Sequence, residues 1–197
     1  MALRPAVLLD RDGTMIRDVG YLDRRENLEW YPWTLDALRL LNRAGFVVCV
    51  TTNQGGIGLG LYSEPFVRGL HDEMGRTVAA AGARVDGWFF CPHHPRAVTD
   101  ALRAACECRK PAPGMARQAA ERFGLDLSAS FVVGDKATDV GLATSVGAQG
   151  VLVRTGHGEQ ELADRGGALP EAAHVAADLM EATSWILVRS GHPRDGA

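Results

Sequence analysis

The sequence predicts an α/β fold, a doubly wound parallel sheet, and three observations support this expectation. Short apolar runs of strand length alternate along the 197 residues with amphipathic stretches of helix length, an order typical of a parallel sheet with helices on both faces. Glycines at Gly45 and Gly147 mark where two of the helical stretches stop. No repeat, low-complexity tract or linker divides the chain. We therefore expect a single domain over residues 1–190 and a frayed tail over residues 191–197.

Local patterns place the individual elements. Apolar runs predict five strands, at residues 6–9, 46–51, 88–90, 130–133 and 150–153. Leucines at helical spacing indicate a helix over residues 34–44. Ser63 as N-cap and Pro65 in the first turn indicate another over residues 63–81. Further helices are expected at residues 115–123 and 137–146, and residues 172–187 combine helical and apolar segments.

Composition excludes several classes of protein. The net charge of −3 provides no general attraction for nucleic acid or anionic lipid. The longest apolar runs are far shorter than the ~20 residues that span a bilayer, and the N-terminus lacks the apolar core of a signal peptide. We therefore expect a cytoplasmic protein that binds neither nucleic acid nor membrane and acts as a monomer.

Residues with catalytic potential follow three of the predicted strands. The carboxyl ends of parallel strands meet at one edge of a sheet, where ligands bind, so these side chains are expected to converge on one crevice. They are Asp10 and Asp12 after the first strand, Thr52-Asn53-Gln54 after the second, Gly134-Asp135-Lys136 after the fourth, and Arg109-Lys110 in the loop before helix 115–123.

This collection of groups favours phosphoryl transfer. Several ionised carboxylates share a small volume only when a cation neutralises them, and Mg²⁺ binds carboxylates together with phosphate oxygens. Asp10, at the end of a strand, suits a nucleophile that forms an aspartyl phosphate, and Asp12 suits the general acid and base. A D-x-D-G stretch alone also occurs in turns and calcium loops, but Gly13 falls at the fourth position, and an EF-hand needs its glycine at the sixth.

The order Asp10-Arg-Asp-Gly-Thr14, Thr52-Asn-Gln54, Lys110 and Gly134-Asp135-x-x-x-Asp139 resembles the four motifs of the haloacid dehalogenase superfamily of phosphatases. The resemblance implies a Rossmann-like fold, Asp10 as nucleophile and Asp12 as acid and base. It implies Thr52 and Lys110 as ligands of the phosphoryl group. It also implies Mg²⁺ on Asp10, the backbone carbonyl of Asp12, and Asp135, with Asp139 orienting the site.

A second cluster of metal-binding residue types lies near residue 100. Cys91-x-His93 and Cys106-x-Cys108 form a Cys₃His set, which binds structural zinc tetrahedrally. Reduced, unconnected thiols or a disulfide from Cys91 are the alternatives, and the disulfide is disfavoured in a cytoplasmic protein. Four protein ligands leave no position open for catalysis, so we expect the zinc to fold the loop 91–109 and orient Arg109 and Lys110. Cys49, inside an apolar strand, is expected to be a core residue.

The zinc loop resembles that of two related groups that lack a large cap domain, the D-glycero-D-manno-heptose 1,7-bisphosphate phosphatases and the histidinol-phosphate phosphatases. The longer spacing between the two ligand pairs, and the segments "CPHHP" and "CRKPAPGM", resemble the heptose group. That resemblance implies removal of the 7-phosphate from a small phosphorylated sugar. The chain departs from the heptose pattern at Gly55 and at Leu59, where that group commonly has a serine and an arginine.

Two alternatives to this activity stay open. Hydrolysis of histidinol phosphate or another small phosphate ester is the alternative activity, and a catalytically dead sugar-phosphate-binding module is the alternative class. The intact Asp10 argues against the dead module.

The resemblance also implies a set of substrate contacts besides the catalytic residues. They are Arg11, Asp18, Val19, Gly20, Tyr21, Asn53, Gln54, Gly55, Arg109 and Lys136.

Overall fold

A computed structural model of the protein describes residues 3–191 and contains one six-stranded sheet. All neighbouring strands pair in parallel, in the order β3-β2-β1-β4-β5-β6. The predicted doubly wound parallel sheet is therefore confirmed. The strands are β1 Ala6–Leu9, β2 Val47–Asn53, β3 Gly87–Cys91, β4 Phe131–Gly134, β5 Gln149–Val153 and β6 His174–Ala176.

Seven α-helices within residues 3–191 alternate with the strands, and no large cap domain interrupts them. Ser63 caps α2 with its side-chain oxygen, which accepts the N–H of Phe66 at 3.2 Å, and Gly45 and Gly147 have positive φ angles beyond the ends of two helices. The helices are α1 Thr34–Arg43, α2 Glu64–Ala80, α3 Asp100–Arg103, α4 Gly114–Phe123, α5 Ala137–Val146, α6 Gly158–Ala163 and α7 Leu179–Arg189.

Two apolar layers enclose the sheet because successive residues of each strand point to opposite faces. Val7 and Leu9 of β1 belong to the layer covered by α1, α2 and α7, whereas Ala6 and Leu8 belong to the layer covered by α4 and α5. All four residues are fully buried. Such two-sided burial accounts for the continuous apolar runs that predict the strands.

The strand order reverses between β1 and β4. From β1 the chain builds outward to β2 and β3 on one side, and from β4 to β5 and β6 on the other. A crevice opens at such a switch point, outside the carboxyl ends of the central strands. Leu9 pairs with both Val50 and Val133, so the residues that follow β1 lie between the ends of β2 and β4.

Three short elements, β6, α3 and α6, were not predicted from the sequence. The segment 172–187 holds a separate strand, β6, before α7, because the short run His174–Ala176 pairs with the edge of β5. The helices α3 and α6 were missed because they are short and their sequences show no clear apolar period.

The expected frayed tail falls largely on residues 192–197, outside the described residues, and the domain limits stay a prediction. No helix within residues 3–191 is long and apolar enough to cross a membrane.

We predict that Asp178→Ala destabilises the fold by about 1 kcal/mol. Asp178 caps α7, since its Oδ1 accepts the backbone N–H groups of Met180 at 2.8 Å and Glu181 at 2.9 Å. Urea unfolding of both the variant and Asp72→Ala, the same change at an exposed position on α2, measures the difference. Equal free energies of unfolding for the two variants would contradict the capping role.

Candidate active site

A buried ion triad lies where β1 ends. The ammonium group of Lys110 is 2.8 Å from Asp10 Oδ1 and 2.5 Å from Asp139 Oδ1, and it also donates a hydrogen bond to the carbonyl of Thr51 at 2.7 Å. Lys110 is 4% exposed and Asp139 1%. The backbone N–H of Asp10 bonds to the carbonyl of Val133 at 2.8 Å, which continues the β1–β4 pairing and fixes the carboxylate at the switch point.

Asn53, at the end of β2, holds Lys110 in place. Its Oδ1 accepts the backbone N–H of Lys110 at 3.0 Å, and its Nδ2 donates to the carbonyl of Lys110 at 3.3 Å. The side-chain amide thus pairs with the lysine backbone as a neighbouring strand would. Asn53 was expected to contact substrate, and the structure shows that it also anchors the loop that carries the lysine.

The charges of the triad stabilise one another. Burial acts to lower the pKa of Lys110, but the carboxylates of Asp10 and Asp139 outweigh it and raise that pKa above its ordinary value. Burial raises the pKa of Asp139 to about 6, against the opposing effect of Lys110. Burial and then the negative charge of Asp10 raise the pKa of Asp135 to about 8. With all three carboxyl groups ionised, one ammonium would leave an excess of negative charge, and the raised pKa of Asp135 reflects burial and this excess.

This excess fits a hard divalent cation. Carboxylate oxygens of Asp10, Asp135 and Asp139 all lie within 4.8 Å of one another. Oδ1 of Asp135 is buried without a hydrogen-bond donor among residues 3–191, although Oδ2 accepts the backbone N–H of His157 at 2.8 Å. Such a buried oxygen is suited to a metal ion. Asp139 instead meets Lys110 with one oxygen and the N–H of Lys136, at 3.0 Å, with the other, which agrees with an orienting role.

Asp12 is held by a second set of contacts. Both of its carboxylate oxygens accept hydrogen bonds from the Nε and Nη2 groups of Arg11, at 2.9–3.3 Å. Nε2 of Gln54 donates to Asp12 Oδ2 at 2.9 Å. The Asp12 side chain keeps 16% exposure, so it faces the crevice while its position is fixed from behind.

Gln54 connects Asp12 to Thr52, near the end of β2. Its Nε2 also donates to Thr52 Oγ1 at 2.9 Å, while its Oε1 accepts from Arg11 and from the hydroxyl of Tyr62, each at 3.0 Å. Arginine is a donor only, so the amide has one possible orientation. Gln54 is 2% exposed, and its role here is to connect Asp12 with Thr52.

The crevice is a cavity of about 70 Å³. Its lining places carboxylates and ammonium groups around one small polar space, which suits a phosphoryl group. The complete lining is Asp10, Asp12, Asp18, Gly20, Thr52, Asn53, Lys110, Lys136 and Thr138.

The rim of the crevice joins three loops through Asp18. Its Oδ2 lies 3.1 Å from Lys136 Nζ and 3.1 Å from His157 Nε2. Although burial acts to raise the pKa of Asp18, the charge of Lys136 holds it below the ordinary value. Val19 and Tyr21, 46% and 45% exposed, extend from the same segment into solvent.

The four zinc-ligand candidates form one cluster. Cys91 Sγ lies 3.7 Å from Cys106 Sγ and 3.0 Å from Cys108 Sγ, and His93 Nδ1 lies 3.3 Å from Cys108 Sγ. None of the four cysteines, all within the described residues, forms a disulfide. Cys49 is buried apart from them in β2, and burial raises the pKa of its thiol to about 12. The ligand atoms of Cys91, His93, Cys106 and Cys108 all lie within 4.8 Å of one another, so this group could hold one metal ion.

Arg109 directly follows the ligand candidate Cys108 and contacts the same loop. Its Nη1 donates to the carbonyl of His93 at 2.9 Å. A Cβ atom at Gly55 would lie 3.3 Å from the same Nη1 and 3.0 Å from His94 Cδ2. Gly55 and Arg109 are therefore neighbours, and the small glycine leaves room for the guanidinium.

The structure brings together most of the predicted site residues but places two of them differently. The guanidinium of Arg11 is 1% exposed, and it faces Asp12 and Gln54, away from the cavity lining. The side chains of Arg11 and Gln54 thus contact Asp12, and the expected substrate contacts of these two residues stay a prediction. Eight of the other predicted residues line the crevice: Asp10, Asp12, Asp18, Gly20, Thr52, Asn53, Lys110 and Lys136.

Sequence reasoning missed the loop that follows β5. Thr155 Oγ1 donates to the carbonyl of Gly13 at 2.6 Å, and His157 contacts both Asp135 and Asp18. The signal was present, since "RTGHG" follows a strand at the same edge of the sheet as the motifs that were recognised.

A doubly wound sheet with a strand-end aspartate, a second aspartate two residues on, and a buried lysine defines a phosphatase of the haloacid dehalogenase class. The family model described as HAD-hydrolase-like matches residues 107–182. A D-glycero-beta-D-manno-heptose-1,7-bisphosphate 7-phosphatase of Rhodopseudomonas palustris is 46% identical over 147 residues, covering 75% of this chain and 82% of that protein. The chain belongs to this family of heptose-bisphosphate 7-phosphatases.

Two further relatives cover nearly the whole chain. The D-glycero-D-manno-heptose-1,7-bisphosphate 7-phosphatase of Thermosynechococcus vestitus is 41% identical over 187 residues, covering 93% of this chain and 95% of that protein. The crystal structure of D,D-heptose 1,7-bisphosphate phosphatase from B. bronchiseptica, complexed with magnesium and phosphate, has a TM-score of 0.83 at 35% identity. It covers 94% of this chain and 99% of that one.

We predict that Gly13→Ala lowers kcat roughly 100-fold. Gly13 has φ +78°, and a Cβ atom there would overlap Oδ2 of Asp135, so the strain displaces a candidate metal ligand. Gly124→Ala is the matched control, because Gly124 also has a positive φ but faces open space. That control loses about 1–2 kcal/mol of stability and keeps its kcat. A normal kcat in Gly13→Ala would contradict the assignment of Asp135 as a metal ligand.

Proposed function

We propose that the protein is a Mg²⁺-dependent phosphatase that hydrolyses the 7-phosphate of D-glycero-D-manno-heptose 1,7-bisphosphate through an aspartyl phosphate on Asp10. The observation that carries the proposal is the Asp10–Lys110 pair at 2.8 Å, set at the switch point with Asp12 beside it. A carboxylate fixed next to a buried ammonium is placed to attack an anionic phosphorus centre whose charge the lysine offsets.

In the first half-reaction, a carboxylate oxygen of Asp10 forms a bond to phosphorus as the bond from phosphorus to the sugar oxygen breaks. Asp12 transfers a proton to that leaving oxygen. Lys110 and the hydroxyl of Thr52 donate hydrogen bonds to the phosphoryl oxygens. The ammonium of Lys110 has three donors, which point to Asp10, Asp139 and the Thr51 carbonyl. As Asp10 bonds to phosphorus, the N–H that pointed to Asp10 points to a phosphoryl oxygen, and the other two contacts hold the lysine in place.

In the second half-reaction, water attacks the phosphorus of the aspartyl phosphate. Asp12 takes the proton from this water, the bond between phosphorus and Asp10 breaks, and inorganic phosphate leaves. The contacts of Asp12 with Arg11 and Gln54 keep it oriented for both proton transfers.

The residues that would hold Mg²⁺ are Asp10, the backbone carbonyl of Asp12, and Asp135. When bound, the ion neutralises charge on the transferring phosphoryl group. The buried, unpartnered Oδ1 of Asp135 supports this assignment, and so does the magnesium and phosphate complex of the structural relative.

We further propose that the Cys91, His93, Cys106 and Cys108 cluster holds zinc in a structural role. Three thiolates and one imidazole are a common zinc set. Arg109 and Lys110 follow Cys108 directly, so a metal that fixes this loop also fixes the two cationic side chains at the crevice.

The substrate proposal depends on the relatives and on the charge of the rim. Arg109 suits bidentate recognition of a second phosphate or sugar oxygens, and Lys136, whose pKa is raised by Asp135 and Asp18 in opposition to burial, stays cationic. Gly55 and Leu59 leave a different phosphate ester, histidinol phosphate among them, as the alternative.

We predict that the heptose bisphosphate is the preferred substrate in a phosphate-release panel with Mg²⁺. The panel contains both anomers of the heptose 1,7-bisphosphate, histidinol phosphate and simple sugar phosphates. Asp10→Asn should lower kcat by at least about 10⁴-fold, whereas Asp23→Asn, an exposed aspartate of the same loop, should not.

Two outcomes of this panel would count against the proposal. A higher kcat/KM for histidinol phosphate would overturn the substrate assignment but leave the chemistry intact. Substantial turnover by Asp10→Asn would refute the covalent mechanism.

We predict that purified wild-type protein carries zinc and that Cys106→Ser or Cys108→Ser releases it. Loss of the metal frees the segment that carries Arg109 and Lys110, so kcat falls as well. Cys49→Ala, which removes a thiol outside the cluster, is the control and keeps both zinc and kcat. Mass-spectrometric metal analysis provides the readout, and wild-type protein without zinc would refute the assignment.

A further inference from the structure

His71 lies inside the apolar stripe of α2. The stripe has helical spacing, and its other members are the core residues Val67, Leu70, Met74 and Val78. His71 is only 4% exposed. A histidine in such a position fills space as a core residue does, but its polar atoms also need partners, and the partner here belongs to the active site.

The imidazole ring is fixed by two aromatic neighbours. It stacks on Trp88 with centroids 4.8 Å apart and an interplanar angle of 23°, and it meets Phe90 at 5.8 Å. Its Nε2 lies 3.1 Å from Arg11 Nη1. A guanidinium can only donate, so Nε2 is the acceptor and Nδ1 carries the proton.

The lone pair of Nε2 is available because the ring stays neutral. Burial, followed by the charges of Arg11 and Arg68, lowers the pKa of His71 to about 3. The imidazole is therefore neutral at neutral pH and accepts the Arg11 hydrogen bond.

Arg11 transmits this contact to the catalytic acid. On one side its guanidinium meets His71, and on the other it meets both carboxylate oxygens of Asp12. The group is planar and 1% exposed, so fixing one edge fixes the direction of the opposite edge. We propose that His71 is a positioning residue for the phosphatase reaction, acting through Arg11 to orient the carboxylate of Asp12.

The inference rests on the acid and base role proposed for Asp12, and it separates two functions of His71. A purely structural role needs the volume of the ring and its stacking on Trp88, and phenylalanine supplies both. The positioning role needs an acceptor atom facing Arg11, which phenylalanine lacks and glutamine retains.

The test compares His71→Phe with His71→Gln. We expect His71→Phe to lower kcat on the order of 10- to 100-fold with KM within twofold of wild type, and we expect His71→Gln to recover most of the loss. His174→Phe is the matched control, since His174 also stacks on a tryptophan, Trp185, at 5.0 Å, but lies outside the site. Its kcat should equal that of wild type.

The Nη1–H₂ signal of Arg11 in the ¹⁵N NMR spectrum provides a readout that does not depend on substrate, because Nη1 is the group that donates to His71 Nε2. It should exchange slowly with solvent in wild type and in His71→Gln, and rapidly in His71→Phe. Thermal unfolding of each variant shows that kinetics and spectra are recorded on folded protein.

Three results would overturn the inference: wild-type kcat in folded His71→Phe, an equal loss of kcat in the Phe and Gln variants, or unchanged Arg11 exchange in His71→Phe. Absence of phosphate release by the wild-type protein would instead refute the proposed function, and the exchange of Arg11 would still decide whether His71 holds the guanidinium.

Discussion

The contact of one buried ammonium group with two buried carboxylates is the constraint on which the site depends. Lys110 offsets part of the negative charge of Asp10 and Asp139, two buried carboxylates that alone would repel one another. Removing one partner from a buried ion pair generally costs about 3–5 kcal/mol, because the other charge is left without compensation. The chain therefore has to deliver the three side chains together, from three separate segments.

The parallel sheet positions two of these side chains. Strands β1 and β4 end side by side and bring Asp10 close to Asp135 and Asp139. Lys110 has no strand of its own. It reaches the triad from the end of the loop that contains the cysteines and histidine, and Asn53 pairs with its backbone. The Cys₃His cluster and the catalytic crevice are therefore joined by consecutive residues, since Arg109 and Lys110 follow Cys108 directly, and a change at Cys108 is expected to shift Lys110.

A second constraint acts on Asp12. Its carboxylate contacts Arg11 and Gln54, which in turn contact His71 and Tyr62. Arg11, Gln54 and His71 are buried and Tyr62 is half-buried, and none of the four lines the crevice. They provide orientation without competing with substrate for the groups that react, and both arginine and amide have only one arrangement that satisfies their donors and acceptors.

Sequence patterns predicted the sheet, and they predicted that the candidate site residues meet at its switch point, because both expectations depend on local signals. Buried parallel strands appear as continuous apolar runs, and Asp10, Asp12, Lys110 and Asp135 follow predicted elements at recognisable positions. The placement of Arg11 could not be predicted, because a charged residue between two aspartates gives no sign that His71, sixty residues away, will accept its hydrogen bond. The strand β6 was missed for a similar reason, since three residues become a strand only through pairing with β5.

The most direct test of the account is a crystal structure of the protein with Mg²⁺ and beryllofluoride, a mimic of a phosphoryl group on a carboxylate. The account predicts beryllium bonded to an oxygen of Asp10, with Lys110 Nζ and the Thr52 hydroxyl within hydrogen-bonding distance of the fluorides and with Mg²⁺ contacting Asp135. Beryllium bonded to a different carboxylate, or bonded to Asp10 with Lys110 turned away from the fluorides, would contradict it.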